Sequence, residues 1–248
     1  MNIIGIIPAR YASTRFPGKP LVSIAGKPMI QHVYEKSKSV LQHVIVATDD
    51  VRIEQAVLSF GGEVAMTSEH HKSGTDRCAE VLQTLENKNS NCDVVINIQG
   101  DEPFLSTEHL KLLASAFEDP KVQIATLVKQ ITNTETLFNA NTPKVILDKN
   151  SNALYFSRST IPYLRNFAPQ EWLQHHTFYK HIGIYAYRSQ VLKEITQLEQ
   201  STLELAESLE QNRWLENNYT IKALITEHES IAIDTPEDLA KLLNSSMI

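Results

Sequence analysis

The first half of the chain alternates short runs of apolar, mostly β-branched residues with segments of helical periodicity. Residues 3–7 and 44–48 are apolar without alternation, which predicts strands buried on both faces, as in a parallel sheet covered by helices. Residues 75–85 repeat apolar side chains at i, i+3, i+4 and i+7, which predicts an amphipathic helix. The alternation predicts an α/β fold with a doubly wound, mostly parallel sheet.

The pattern changes after about Val122, where loops rather than full helices separate some of the predicted strands. Residues 161–177 are rich in aromatic residues, proline and histidine and show no period, which suggests a mobile flap or an oligomer contact. The elements predicted in this half are strands at 122–128, 144–147, 153–156, 181–187 and 220–225 and a helix at 202–215. We therefore expect one domain, 1–248, with a β-rich subdomain within roughly 122–190.

Charge and cysteine content exclude several classes of protein. The formal net charge is −6 and the sequence has no run of lysine and arginine, which argues against nucleic acids and anionic membrane surfaces as partners. No stretch reaches about 18 apolar residues, so no membrane-spanning helix is expected. Cys78 and Cys92 form no CxxC pair, and two reduced thiols fit a cytoplasmic protein.

The loop after the first strand carries three cations, Arg10, Arg15 and Lys19, in an otherwise acidic chain. Because it follows a strand, the loop is expected at the carboxyl edge of the sheet, where α/β proteins bind ligands. A triphosphate carries about four negative charges and requires several fixed cations. Small residues such as Ala9 and Ser13 would let backbone N–H groups approach phosphate oxygens.

Composition alone leaves open that this loop is an ordinary solvated one. Its Gly18-Lys19 pair is followed by Pro20, so it is not a Walker A loop, and no GxGxxG follows the strand. Both a P-loop kinase and an NAD-dependent dehydrogenase therefore lose support.

Two aspartates suit a divalent cation. Asp101 follows Gly100 at the end of a predicted buried strand, and Mg²⁺ prefers one or two carboxylates together with phosphate oxygens and water. Asp234 precedes the last helix, whose start Thr235 can cap unaided, so Asp234 is available as a second ligand. A polar turn and a helix-terminal acid are the ordinary alternatives for these two positions.

The segment Ser73-Gly74-Thr75-Asp76-Arg77 leads from a loop into a helix. Its N–H groups and the Arg77 side chain are candidates for contacts to a base or a phosphate, although an ordinary helix N-cap explains the same residues. The adjacent histidine pairs lack the spacing of a zinc site.

Taken together, the segments resemble one family, the CMP-Kdo synthetases. The motifs IIPARYASTRFPGKPL, VATDD, SGTDR, NIQGDEP, ALYFSRSTIPY, KHIGIYAYR and IDTPEDL run in the family's order, from Ile3 to Leu239. The resemblance implies transfer of CMP from CTP to the anomeric hydroxyl of 3-deoxy-D-manno-octulosonate (Kdo), with release of pyrophosphate, for lipopolysaccharide biosynthesis. It also implies Mg²⁺, a nucleotide-diphospho-sugar-transferase type of sheet, and a homodimer formed through a small dimerisation subdomain.

The resemblance also assigns roles by position. Arg10, Arg15 and Lys19 would grip the triphosphate, and Lys19 would stabilise the departing pyrophosphate. The remaining positions are Ala9, Ser13, Ser73, Gly74, Arg77 and Gly100 for the nucleotide, Asp101 and Asp234 for the metal, and Gln99, Arg158, His181, Glu210 and Gln211 for the sugar acid.

The sequence departs from the family pattern just before IDTPEDL. Many members have a PGTG-like turn where this chain has Glu227-His228-Glu229-Ser230-Ile231-Ala232. The choice of acceptor therefore stays open between Kdo, its 8-amino form and another sugar acid. A transferase acting on sialic acid or a sugar 1-phosphate, and a binding protein without catalysis, remain as competing hypotheses.

Overall fold

The computed structural model describes residues 1–12, 16–229, 232–233 and 235–243. The chain forms two compact units, the first built from residues 1–111 and 230–248 and the second from 112–229. Among the helices in the described ranges, none has the length and apolar character needed to cross a membrane.

The elements follow each other along the chain in this order. The strands are β1 (Ile3–Ala9), β2 (Ser23–Ile24), β3 (Lys27–Pro28), β4 (His43–Thr48), β5 (Glu63–Met66), β6 (Val94–Asn97), β7 (Ile124–Gln130), β8 (Lys144–Leu147), β9 (Ala153–Ser157), β10 (Tyr179–Arg188) and β11 (Ile221–Ile225). The helices are α1 (Met29–Lys38), α2 (Val51–Ser59), α3 (Gly74–Asn87), α4 (Thr107–Ala116), α5 (Thr134–Phe138), α6 (Trp172–His175), α7 (Ser189–Ile195), α8 (Thr202–Glu207), α9 (Gln211–Glu216) and α10 (Pro236–Leu243), with short 3₁₀ helices at Lys19–Leu21 and Pro169–Glu171.

The first unit contains four parallel strands in the order β5-β4-β1-β6. Strand β1 is central, and its Ile6 lies opposite Ile45 of β4 and Asn97 of β6. Ile6 and Ile7 have no exposed surface although they point to opposite faces, so both faces of the sheet are covered. Parallel pairing brings the carboxyl ends of β1, β4 and β6 to one edge, which is where the cationic loop begins.

The second unit is mostly antiparallel. Strand β7 pairs with β10 in antiparallel and with β11 in parallel orientation, and β8 joins β10 to β9. The β10–β7 ladder shifts between Ile182 and Tyr185, at a bulge that contains Gly183. Such a bulge re-aims the side chains that follow it.

The prediction of an α/β fold with mostly parallel strands is confirmed, and most predicted elements end within a few residues of the observed bounds. The single helix predicted over 202–215 is wrong, because Ser208 takes a left-handed conformation, with φ of 52°, and separates α8 from α9. Periodicity did not show this break, since the apolar spacing continues across it. Helices α5, α6 and α7 were not predicted, and all three are short.

The segment 161–177 packs on the core of the second unit through Trp172, with Leu164 and Leu173 partly buried against the same cluster. Trp172 is buried against Ile131, Leu137 and Phe178. Its indole N–H donates to the carbonyl oxygen of Phe167 at 3.0 Å. The roles of mobile flap and oligomer contact stay predictions for this segment.

Candidate functional site

Three chain segments meet tightly at the carboxyl edge of the first unit's sheet, around Pro8 at the end of β1. A Cβ added to Gly100 would lie 2.9 Å from the Pro8 carbonyl oxygen, and one added to Gly74 would lie 3.3 Å from Pro8 Cγ. Glycine at both positions therefore lets the turn after β6 and the start of α3 approach β1 closely.

The described ends of the cationic loop hold each other in place. The Gly18 N–H donates to the Tyr11 carbonyl oxygen at 2.9 Å, and Gly18, with φ of 72°, caps the 3₁₀ helix that begins with Lys19. Ala9 is buried at the end of β1, and Arg10 is exposed beside it. Ser13 and Arg15, both predicted to bind the nucleotide, lie outside the described residues.

Lys19 and Asp101 form an ion pair at this edge, with 2.7 Å between Nζ and Oδ2. The side chains keep 12% and 26% of their surface exposed, so the pair is accessible without being fully solvated. The structure thus brings together a cation suited to a phosphate and a carboxylate suited to a metal, two residues that are 82 positions apart in the sequence.

Ile233, the residue before Asp234 in the sequence, contacts Asp101. Ile233 donates its N–H to the Asp101 carbonyl oxygen at 2.9 Å. Its side chain is buried with Ile24 and Met29, and Leu239 of α10 packs against the same cluster. Asp234 itself lies outside the described residues, and its role as a metal ligand stays a prediction.

The acidic residues at this edge can be compared with the ligands that Mg²⁺, the metal implied by the resemblance, requires. No cluster of three or more histidine, cysteine or acidic side chains that could hold a metal occurs in the described part of the chain. Mg²⁺ does not need such a cluster, because it is commonly held by one or two carboxylates together with substrate phosphates and water. An accessible Asp101, with Ile233 anchored beside it, fits that mode of binding.

Ser73, the N-cap of α3, and Arg77, in its first turn, both serve the local structure. The Ser73 hydroxyl accepts from the Asp76 N–H and the Asp76 carboxylate accepts from the Ser73 N–H, each at 3.1 Å, which is a capping box. Arg77 is almost fully buried and donates to the Asp49 carboxylate at 2.8 Å and to the Thr67 hydroxyl. It thus ties together the chain after β4 and after β5, and its contact with a nucleotide stays a prediction.

Four of the five predicted sugar-acid positions, Arg158, His181, Glu210 and Gln211, lie in the second unit, whereas Gln99 lies in the first. His181 Nε2 lies 3.0 Å from the Thr126 hydroxyl, which donates its only hydrogen to the Ile184 carbonyl oxygen at 2.8 Å. Thr126 must therefore accept from His181, so the ring carries its proton on Nε2 and leaves Nδ1 as an acceptor. Burial lowers the pKa of His181 to about 3, which keeps the ring neutral at physiological pH.

Arg158 closes the carboxyl end of α8. Its Nε donates to the Glu207 carbonyl oxygen at 2.7 Å and its Nη1 to the Ala140 carbonyl oxygen at 3.2 Å. An arginine satisfies free carbonyl groups at a helix end and is favoured there by the helix dipole. The hydrogen-bond partners of the guanidinium are thus carbonyl oxygens, which carry no formal charge.

Glu210 and Gln211 begin α9. Glu210 accepts from Arg213 Nη2 at 2.9 Å, which fixes its carboxylate. Gln211 is buried, and its Nε2 has no hydrogen-bond partner in the part of the chain that the structure describes. A buried amide donor without a partner costs free energy, so a ligand hydroxyl or carboxylate there would be favoured.

Two supporting residues were missed by sequence reasoning. Lys144 is almost fully buried, and its ammonium donates to the carbonyl oxygens of Asn139, Thr142 and Arg158 at 2.6–2.8 Å; burial lowers its pKa. The Glu207 carboxylate accepts from the Ser157 hydroxyl and the Arg158 N–H at 2.6 and 2.9 Å. These contacts hold Arg158 in place, but nothing in a single sequence signals pairings across 14 and 49 residues.

The first unit has a parallel sheet, a cationic loop after its central strand and a lysine–aspartate pair at its carboxyl edge. These features together indicate a class, the α/β nucleotidyltransferases. The model of the cytidylyltransferase family matches residues 4–225. A 3-deoxy-manno-octulosonate cytidylyltransferase of Parabacteroides distasonis is 62% identical over 247 residues, covering 98% of this chain and 97% of the relative. The chain belongs to the family of 3-deoxy-manno-octulosonate cytidylyltransferases.

Two further comparisons agree with that assignment. A 3-deoxy-manno-octulosonate cytidylyltransferase of Phocaeicola vulgatus is 61% identical over 244 residues, covering 97% of this chain and 96% of the relative. A solved structure of CMP:2-keto-3-deoxy-manno-octonic acid synthetase complexed with CTP matches with a TM-score of 0.89 at 43% identity, covering 98% of this chain and 97% of that one.

Proposed function

We propose that the protein transfers CMP from CTP to the anomeric hydroxyl of Kdo and releases pyrophosphate. The observation that carries this proposal is the Lys19–Asp101 pair at the carboxyl edge of β1 and β6, beside the cationic loop. The similar solved structure is described as a complex with CTP, and the relatives are named for this reaction.

The first unit supplies the groups that bind and polarise the triphosphate. Nucleotidyl transfer is an in-line displacement at phosphorus that needs no covalent enzyme intermediate, so positioning and electrostatic stabilisation can supply most of the catalysis. Arg10, Arg15 and Lys19 neutralise the triphosphate in this proposal. Lys19, fixed by the turn that begins at Gly18, stabilises the negative charge that develops on the departing pyrophosphate.

Asp101 and Asp234 are the residues that would hold Mg²⁺. The bound ion would supply a Lewis acid for phosphate oxygens and for the attacking hydroxyl. Asp101 is accessible, and Ile233 donates its N–H to the Asp101 carbonyl oxygen, which supports this pairing.

The second unit supplies the groups that recognise the acceptor. Arg158 pairs with the carboxylate of the sugar acid, and the Gln211 amide donates to one of its oxygens. His181 accepts from a sugar hydroxyl through Nδ1. With a pKa near 3, His181 orients the acceptor and does not act as a general base at neutral pH.

Exposed aromatic side chains in the second unit support a homodimer. Tyr163 and Phe138 are 73% and 47% exposed, and both contact Trp172, with ring centroids 5.2 and 5.9 Å apart. Large exposed apolar groups that adjoin each other favour an interface. We propose that a second copy of the chain covers them, which sedimentation analysis of the protein would decide.

The setting of the reaction is also a proposal. Cys78 and Cys92 are both buried thiols, which suits a reducing compartment such as the cytoplasm. The activated sugar acid would serve lipopolysaccharide biosynthesis, as the resemblance implies.

The direct test is pyrophosphate release with a panel of acceptors. We expect release only when CTP, Mg²⁺ and an acceptor are all present, with Kdo compared against its 8-amino analogue, sialic acid and a sugar 1-phosphate. The 8-amino analogue belongs in the panel because the residues after β11 depart from the family pattern. No turnover with either Kdo or its 8-amino form would overturn the proposal, and faster turnover with sialic acid or the sugar phosphate would reassign the acceptor.

A further inference from the structure

An arginine stacks on the cationic loop without belonging to it. Arg52, in the first turn of α2, places its guanidinium carbon 3.3 Å from the centroid of the Tyr11 ring. Tyr11 follows Arg10 in the described first part of the loop. Its carbonyl oxygen accepts from the Gly18 N–H. The contact therefore acts on the point where the two ends of the loop are joined.

Asp50 fixes the plane of that guanidinium. It caps α2 by accepting from the Arg52 N–H, and its two carboxylate oxygens accept from Arg52 Nε and Nη2 at 2.9 and 2.6 Å. Such a bidentate pair orients the guanidinium as well as attracting it. A cation in the first turn is disfavoured by the helix dipole, so the stability of α2 does not explain an arginine at this position.

Gly18 completes the arrangement on the side of the loop. A Cβ at Gly18 would lie 3.1–3.2 Å from three atoms of the Tyr11 side chain, so the ring rests against the glycine backbone. We refer to Asp50, Arg52, Tyr11 and Gly18 as the Tyr11 clasp. Its members join the chain after β4 to both described ends of the cationic loop.

We propose that Arg52, held by Asp50, is a positioning residue for the triphosphate site, because it holds Tyr11 against Gly18. Arg10 precedes Tyr11 and Lys19 follows Gly18, so the clasp fixes the backbone from which both cations extend. A loop ordered before binding loses less conformational entropy when the nucleotide arrives. The inference rests on the proposed function for the identity of the ligand, a nucleoside triphosphate.

Steady-state kinetics of Arg52→Ala test the effect on the nucleotide. Removing a cation–π contact at an exposed site should raise the KM for CTP about two- to fivefold. The KM for the acceptor and kcat should change little, since Lys19 keeps its own ion pair with Asp101. Arg52→Lys should recover part of the loss. Lys27→Ala, which removes an exposed ion pair of 2.7 Å with Glu35, is the matched control and should leave the KM for CTP unchanged.

A double-mutant cycle tests whether Arg52 acts through Tyr11. Tyr11→Phe keeps the ring face and should behave as the wild type, whereas Tyr11→Leu should raise the KM for CTP. In the Tyr11→Leu background, Arg52→Ala should have no further effect. Equal effects of Arg52→Ala in both backgrounds would overturn the proposal.

Hydrogen exchange gives a readout that does not need turnover. Selective ¹⁵N-glycine labelling yields at most eight signals, because the chain has eight glycines. Arg52→Ala should speed amide exchange at Gly18. Exchange at Gly61, whose N–H donates to the Leu58 carbonyl oxygen at the end of α2, should stay unchanged. Unchanged exchange at Gly18, or equal acceleration at both glycines through fraying of α2, would overturn the clasp. If the wild-type protein showed no turnover, only the proposed function would be overturned. Hydrogen exchange at Gly18 would still test whether Arg52 holds Tyr11 in place.

Discussion

At the scale of single residues, the surroundings of Lys19 and His181 determine whether each side chain is charged and what it can bind. Lys19 faces a carboxylate at 2.7 Å and keeps part of its surface exposed, so an incoming anion can compete for it. His181 packs against Thr126, Phe156 and Tyr185, and burial keeps it neutral. The first side chain is suited to neutralising charge, and the second to hydrogen bonding.

The neutral His181 should make the protein sensitive to acid. Its pKa is about 3 in the folded state and near 6.5 when unfolded, so below pH 6.5 the unfolded state binds more protons. This contribution to stability is fully present above pH 6.5 and declines as the pH falls towards 3. Between pH 7 and 5, the wild type should lose up to about 2 kcal/mol more unfolding free energy than His181→Gln, in which Nε2 can still donate to Thr126. Urea titrations of both proteins measure this difference, and parallel losses would refute it.

At the scale of elements, the close meeting of β1, the turn after β6 and the start of α3 determines where the site lies. Continuous apolar runs in the sequence predicted the strands, and the family resemblance predicted a nucleotide contact at Gly100. Only the structure gives the reason at Gly100, which is the 2.9 Å approach of a Cβ to a backbone oxygen of the neighbouring strand.

Gly100→Ala should therefore destabilise the protein. A methyl group against the Pro8 carbonyl forces backbone movement, which typically costs about 1–3 kcal/mol. Gly183→Ala is the control, because a Cβ there meets no atom within 4 Å and the backbone has no positive φ; it should stay within about 0.5 kcal/mol of the wild type. Thermal denaturation of the three proteins is the measurement. Equal stability of Gly100→Ala and Gly183→Ala would contradict the close approach.

At the scale of the whole molecule, the sequence predicted the class of fold and the residues of the carboxyl edge, because strands and their terminal loops are local features. It did not predict the break at Ser208, the buried ammonium of Lys144 or the stacking of Arg52 on Tyr11. Each of these depends on contacts between distant segments or on a backbone conformation that apolar spacing does not encode. The sequence predicted a β-rich subdomain within roughly 122–190, and the second compact unit of the structure runs from residue 112 to residue 229.

Asp101→Asn is the sharpest test of whether the edge beside Asp101 is a metal-assisted triphosphate site. The variant keeps the size of the side chain but removes its charge, so the fold should survive, since Asp101 is partly exposed. Glu63→Gln, an exposed carboxylate 3.6 Å from Lys38, is the control. We predict that pyrophosphate release from CTP and Kdo falls by at least about 100-fold in Asp101→Asn and is unchanged in Glu63→Gln. A folded Asp101→Asn that keeps most of its activity would show that the Asp101 carboxylate does not hold a catalytic metal.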